Sequence, residues 1–249
     1  MIHRKVMMAR KEGKHPLGAK DFMFILGNAF HCMMVEMASV RRSRRRPLLS
    51  PEELAHHFLR AAIHRQSGRS AGQVSCPSPW TFNKAHAWLV YYANATLKLM
   101  DKHGLSPLLM EQALSPYPLC KERGLYEDTC PDLIARRVVT STLGVYDYKT
   151  VSSNQYQAYC KMLASPDLAE QVNSLDLMTR YGAAAEHDIH NVNEPIAEVG
   201  LIVVPRRPLT PTPRPVLLVA APFDRSQIAA WRNRRMKKIL GADYDCDET

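Results

Sequence analysis

The amino-acid sequence predicts a mainly α-helical fold: a multi-helix globular core between a basic N-terminal arm and an extended, proline-rich C-terminal strap that ends in a basic helix. Three observations support this. Helix-opening signals recur between residues 50 and 182, almost nothing in that interval alternates with period two, and β-branched runs appear only after it, on either side of a proline series. The organisation that follows is a mobile arm at 1–18, a helical core at 19–190, a connector at 191–223, and a basic helix with an acidic tail at 224–249. With 249 residues, 46% of them hydrophobic, one sizeable core can be buried.

Taken in order, residues 1–18 (MIHRKVMMARKEGKHPLG) are basic, with no apolar periodicity. From Lys20 to about Val40 apolar residues lie on nearly every side of a helix, as a central helix requires. The stretch 22–35 within it is too short, with Glu36 at its end, to span a bilayer comfortably. Ser50-Pro51-Glu52-Glu53 combines a hydroxyl cap, a proline at the first helical position and a glutamate at the third, predicting a helix from 51 to about 66. Ser78-Pro79 or Thr81 opens a longer helix that runs to His103 and stops at Gly104, and Ser106-Pro107 opens a short one closed by Pro116 and Pro118. Further helices are predicted over 132–143, 152–164 and 166–181, the last stopped by Gly182.

Beyond 182 the composition changes. Residues 191–204 (NVNEPIAEVGLIVV) and 216–221 (VLLVAA) flank Pro205, Pro208, Pro211, Pro213 and Pro215, which predicts extended segments lying as edge strands or as a strap. A last helix runs over 224–240, with Asp224 as its cap and Gln227 reaching back.

The net charge of +9 calls for an acidic partner, and its distribution says where. Residues 1–46 hold eleven Lys or Arg against three acids, residues 47–223 hold sixteen of each, and 224–240 hold six bases and one acid. The cluster Arg41, Arg42, Arg44, Arg45 and Arg46 exceeds what nearby carboxylates can neutralise, and phosphate offers bidentate partners. Arg225, Arg232, Arg234, Arg235, Lys237 and Lys238 surround the final helix with charge. With Arg60, Arg65 and Lys149 these form the expected nucleic-acid contacts; Tyr146 and Tyr148, read as lying in a turn, and Trp231 are the candidates for base stacking.

The function expected from these features is non-specific binding of nucleic acid, RNA rather than DNA, by a self-associating assembly protein of nucleocapsid or filament-coat type. The alternatives are a component of a large ribonucleoprotein and a helical adaptor. Six singly spaced cysteines point to reduced thiols and an intracellular setting, cytoplasm or nucleus, or a virion.

No catalytic signature stands out, so no enzyme activity, cofactor or metal is expected. His187 and His190, and His56, His57 and His64, lack the spacing and the glutamate of a zinc helix. The octet WRNRRMKK resembles the recognition helix of homeodomains, but Trp231 and Asn233 stand one residue closer than that pattern requires. A proline series also occupies the place of the two preceding helices, which excludes that fold.

Overall fold

Leu143–Val151 and Ile196–Pro205 are mostly apolar and buried along nearly their whole length, as strands covered on both faces must be. In the computed structural model, which describes residues 14–43 and 48–241, they are the central pair of a mixed five-stranded sheet. The described elements in chain order are β1 (His15–Pro16), α1 (Ala19–Ser43), α2 (Pro51–Ser67), β2 (Val74–Ser75), α3 (Phe82–Lys102), β3 (Leu105–Met110), β4 (Tyr117–Cys120), β5 (Leu125–Glu127), β6 (Leu133–Arg137), β7 (Leu143–Val151), α4 (Ser153–Leu163), α5 (Leu168–Asn173), α6 (Asp176–His187), β8 (Ile196–Pro205), β9 (Leu217–Pro222) and α7 (Gln227–Leu240).

The sheet runs β3-β6-β7-β8-β9, with β7 and β8 parallel and the other neighbours antiparallel. Because parallel strands need a long crossover, α4, α5 and α6 lie between β7 and β8 in the chain. One face of the sheet packs Tyr146, Tyr148, Ile202 and Val204 against α1, α2 and α3. The other packs Val145, Val199, Leu201 and Val203 against α4, α5 and α6. By length and composition α1 is apolar enough to cross a membrane, but here it buries Phe22, Ile25, Leu26, Phe30, Met33 and Met34 in the first of these cores.

This mixed α/β architecture overturns the mainly α expectation, and the errors have identifiable causes. Residues 132–143 form β6, a turn and the start of β7 instead of a helix. Their β-branched content favours strand, and burial on both faces erases the period-two pattern that would have announced it. The short helix expected at Ser106-Pro107 is β3, an edge strand whose register shifts between Pro107 and Leu109, a place where a sheet tolerates proline. Of the two extended C-terminal segments, β9 is an edge strand, as expected, while β8 lies inside the sheet; the connection between them runs at the end of the sheet.

Where caps were readable, the helices follow them. Ser50 and Glu53 form a capping box at α2, and the Thr81 and Ser152 hydroxyls accept from Lys84 and Gln155 amides at α3 and α4. The expected Asp224 cap is not the one formed: α7 starts at Gln227 after Ser226, which makes no side-chain cap, and the Asp224 carboxylate accepts from the Ser226 amide at 3.0 Å in the turn before it.

Gly182 does not stop a helix; it sits inside α6, where an added Cβ would lie 2.5 Å from carbons of the buried Phe223 ring. Alanine at a helical glycine gains about 1 kcal/mol of propensity, but forcing a methyl into a packed ring costs about 1–3 kcal/mol. Gly182→Ala is therefore expected to lower the urea midpoint, and Phe223→Leu in the same chain to restore part of it. A higher midpoint for Gly182→Ala alone would contradict this packing.

Candidate metal centre

Strand register places three carboxylates in a row. Met110 pairs with Leu133, and Leu133 with Tyr146, in consecutive antiparallel ladders. One residue beyond the last pairs, Glu111, Asp132 and Asp147 come level across β3, β6 and β7. The Glu111 amide donates to the Asp132 carbonyl at 3.1 Å, and the Tyr148 amide to Asp132 Oδ2 at 2.7 Å. Cross-strand neighbours at one level share a face, so the alignment brings together side chains far apart in the chain.

Two cationic groups complete the cluster. Lys149 follows Asp147 by two residues, so period two turns both to one face, and its Nζ lies 2.7 Å from Asp147 Oδ2. His31, on the α1 turn that crosses this end of the sheet, donates from Nε2 to the Tyr148 carbonyl at 3.1 Å. That bond aims Nδ1 at the carboxylates, 3.4 Å from Glu111 Oε1 and 3.6 Å from Asp132 Oδ2. An imidazole fixed by a backbone carbonyl through one nitrogen and presenting the other beside carboxylates is the usual arrangement of a ligating histidine. The ligand atoms of His31, Glu111 and Asp132 all lie within 4.8 Å of one another.

The electrostatics describe a partly exposed cluster with surplus negative charge. Asp147 is only 3% exposed and pairs with Lys149, yet burial with the Asp132 charge pushes its carboxyl up to about 6. Burial opposes a charge on His31, yet its contacts to Asp132 and Glu111 prevail and raise it to about 10. Cys130 and Cys32 hold their protons more tightly than usual, through burial and the charge on Glu111. A divalent cation among Glu111, Asp132 and His31 would relieve this repulsion, and the hard oxygen donors with one imidazole suit Mn²⁺ or Mg²⁺.

None of these acids was singled out from the sequence, and of the residues expected to bind nucleic acid only Lys149 lies in the cluster. Arg41 makes a bidentate pair with Asp101 at 2.8 and 2.9 Å, and Arg42 donates to the Leu108 carbonyl. Arg44, Arg45 and Arg46 lie outside the described residues. Arg60 and Arg65 are exposed on α2, Arg65 within electrostatic reach of Cys32. Just before α7, Arg225 pairs with Glu186, and along it Arg234 pairs with Asp176 and Arg235 with Glu127, which also takes Arg180. Arg232 is half-buried, while Lys237 and Lys238 are exposed near the end of that helix.

The stacking expectation is corrected outright. Tyr146 and Tyr148 belong to β7, not to a turn, and with Trp231 they are at most 1% exposed, closed to any base. The histidines considered and set aside stay outside the cluster: His187 packs on the Tyr117 ring, and His56 on Phe82. A usable signal was present in Pro131-Asp132 followed by Asp147-Tyr148-Lys149, an acid and a lysine two apart in a β-branched run. No family model matches the chain, and no curated protein matches its sequence.

Ligand binding to the folded state alone stabilises it by about 2.7 kcal/mol at one hundred times Kd. Mn²⁺ is therefore expected to raise the melting temperature of the full-length protein by several degrees, and Asp132→Asn to abolish most of that rise. Equal rises in both proteins would place the ion elsewhere.

Proposed function

We propose that this chain is a divalent-metal-dependent hydrolase acting on the phosphodiester bonds of nucleic acid. The observation that carries the reading is the alignment of Glu111, Asp132 and Asp147 across three strands with Lys149 and His31 beside them. A divalent cation at such a site acidifies a water molecule and neutralises phosphoryl oxygens. Glu111 and Asp132 would hold it, with His31 once the cation displaces its Nδ1 proton, since the Nε2 bond to Tyr148 leaves Nδ1 as the ligating nitrogen. Asp147 fixes the Lys149 ammonium at the edge of the cluster, where a positive charge stabilises the additional negative charge that develops on a phosphoryl group under attack.

The choice of nucleic acid rests on charge. A chain of net +9 draws polyanions toward it, and a lysine next to a cation site suits an anionic transition state better than the neutral carbonyl of a peptide. The partner expected from the sequence is thus retained, with chemistry added. The coat or filament reading rests on both basic ends: at the C-terminal one Glu186, Asp176 and Glu127 engage Arg225, Arg234 and Arg235, and Arg44, Arg45 and Arg46 of the other lie outside the described residues.

The test is incubation of full-length protein with labelled single-stranded DNA, duplex DNA and RNA in Mn²⁺, Mg²⁺ or EDTA. Cleavage should need the metal, and Asp132→Asn, Asp147→Asn and Lys149→Ala should each slow it by about 100-fold or more while the fold is kept. Cleavage that persists in EDTA, or at full rate in purified Asp132→Asn protein, would overturn the proposal.

A further inference from the structure

The connection between β8 and β9 passes over the same end of the sheet as the metal centre. Val151 pairs with Pro205, two residues beyond the level at which Lys149 pairs with Val203, and the Arg206 amide donates to the Val151 carbonyl at 2.7 Å. Arg206 thus leaves the sheet roughly 10 Å along the strand direction from Lys149. The segment that follows, RRPLTPTPRP, contains three arginines and no acid.

These arginines differ from those in and just before α7 in having nothing to neutralise them. Among the described residues none of Arg206, Arg207 and Arg214 takes part in an ion pair, whereas Arg225, Arg234 and Arg235 each do. Arg207 donates only a long bond, 3.4 Å, to Thr210. Arg214 lies over the Tyr156 ring with its carbon 5.2 Å from the centroid, and its Nη1 is buried without a hydrogen-bond partner. Arg207 and Arg214 both act electrostatically on the Tyr92 hydroxyl, so the two guanidiniums converge on one region. Burying part of a guanidinium without an anion is unfavourable, and a fold that does so three times over one segment leaves the anion to be supplied from outside.

The backbone that carries them is held firmly. Trp88 Nε1 donates to the Pro205 carbonyl at 3.0 Å, Tyr92 to that of Arg214 at 3.1 Å, and Tyr156 to that of Pro215 at 2.9 Å. Five prolines from Pro205 to Pro215 restrict it further. A rigid segment loses little entropy when it binds, unlike a loose basic tail.

We infer that Arg206, Arg207 and Arg214 form a fixed rail that binds consecutive backbone phosphates of a nucleic-acid strand and leads it to the metal centre. The inference rests on the hydrolase reading for its direction but not for its binding chemistry. Each phosphate contact on a single strand contributes about 0.7 to the slope of log affinity against log salt. The experiment measures binding of labelled RNA and DNA oligonucleotides of one sequence to the full chain in EDTA, over a salt series, together with Mn²⁺-dependent hydrolysis of bis(p-nitrophenyl) phosphate.

The triple variant R206Q/R207Q/R214Q should bind about tenfold more weakly or worse, with a slope smaller by about 2, while it hydrolyses the small diester as the unaltered protein does. Arg207→Glu, at a side chain whose one hydrogen bond is the long one to Thr210, should weaken binding without unfolding the protein, which keeps the test open if the triple variant unfolds. Unchanged affinity and slope in both variants would overturn the rail, as would an equal loss on replacing the exposed Lys98, Lys102 and Lys121 by glutamine. Strap-dependent binding with no hydrolysis of any diester supports the rail and removes the hydrolase reading alone. RNA bound and DNA not, or the reverse, names the strand the rail takes.

Discussion

The candidate site depends on β7 being covered on both faces. With α1 to α3 on one side and α4 to α6 on the other, every residue of the strand has a fixed neighbour, and a slip of one position would exchange the two faces. Tyr146 and Tyr148 face the first core, so Asp147 must face the other way, and Lys149 with it. The apolar packing of the strand therefore sets the spacing of the charged groups. Covering helices also exclude water, which strengthens each electrostatic interaction at the end of the sheet and makes an uncompensated carboxylate there expensive.

Two kinds of cation-rich surface emerge from one basic composition. In and just before α7 guanidiniums are spent within the fold, clamping the helix to α6 and to the β4–β5 hairpin around Trp231 and Met236. In the connection between β8 and β9 they have no such partners, although the backbone that bears them is tied at both ends by buried aromatic donors. Counting basic residues along the chain could not separate the two, because neutralising carboxylates such as Glu127 and Asp176 are remote in sequence from the arginines they meet.

The sequence made some of this readable and hid the rest for physical reasons. Caps are local, a hydroxyl and an amide three residues apart, so α2, α3 and α4 could be placed from the chain alone. Strands buried on both faces lose their alternation, so β6 and β7 read as helix or turn, and with them went Asp132 and Asp147. Lys149 was noticed for its charge, yet its partner is two residues away on a strand that had not been recognised. Glu111 and His31 carry no local signal, since only the register of β3 and the crossing of α1 bring them to the same place.

The pairing of β7 with β8 has a bearing on how the chain reaches its native state. Parallel neighbours joined through three helices are long-range contacts, and such contacts form late because loop closure precedes any gain from them. His31 meets the Tyr148 carbonyl across 117 positions, and Trp88 meets Pro205 across another 117. β8 must therefore be available to pair before the acidic end of the sheet is covered. Asp132 and Asp147 can meet early, on the local β6–β7 hairpin, but they stay solvated until β8 and the helices cover that hairpin, so the cost of burying their charges arises only when the core closes.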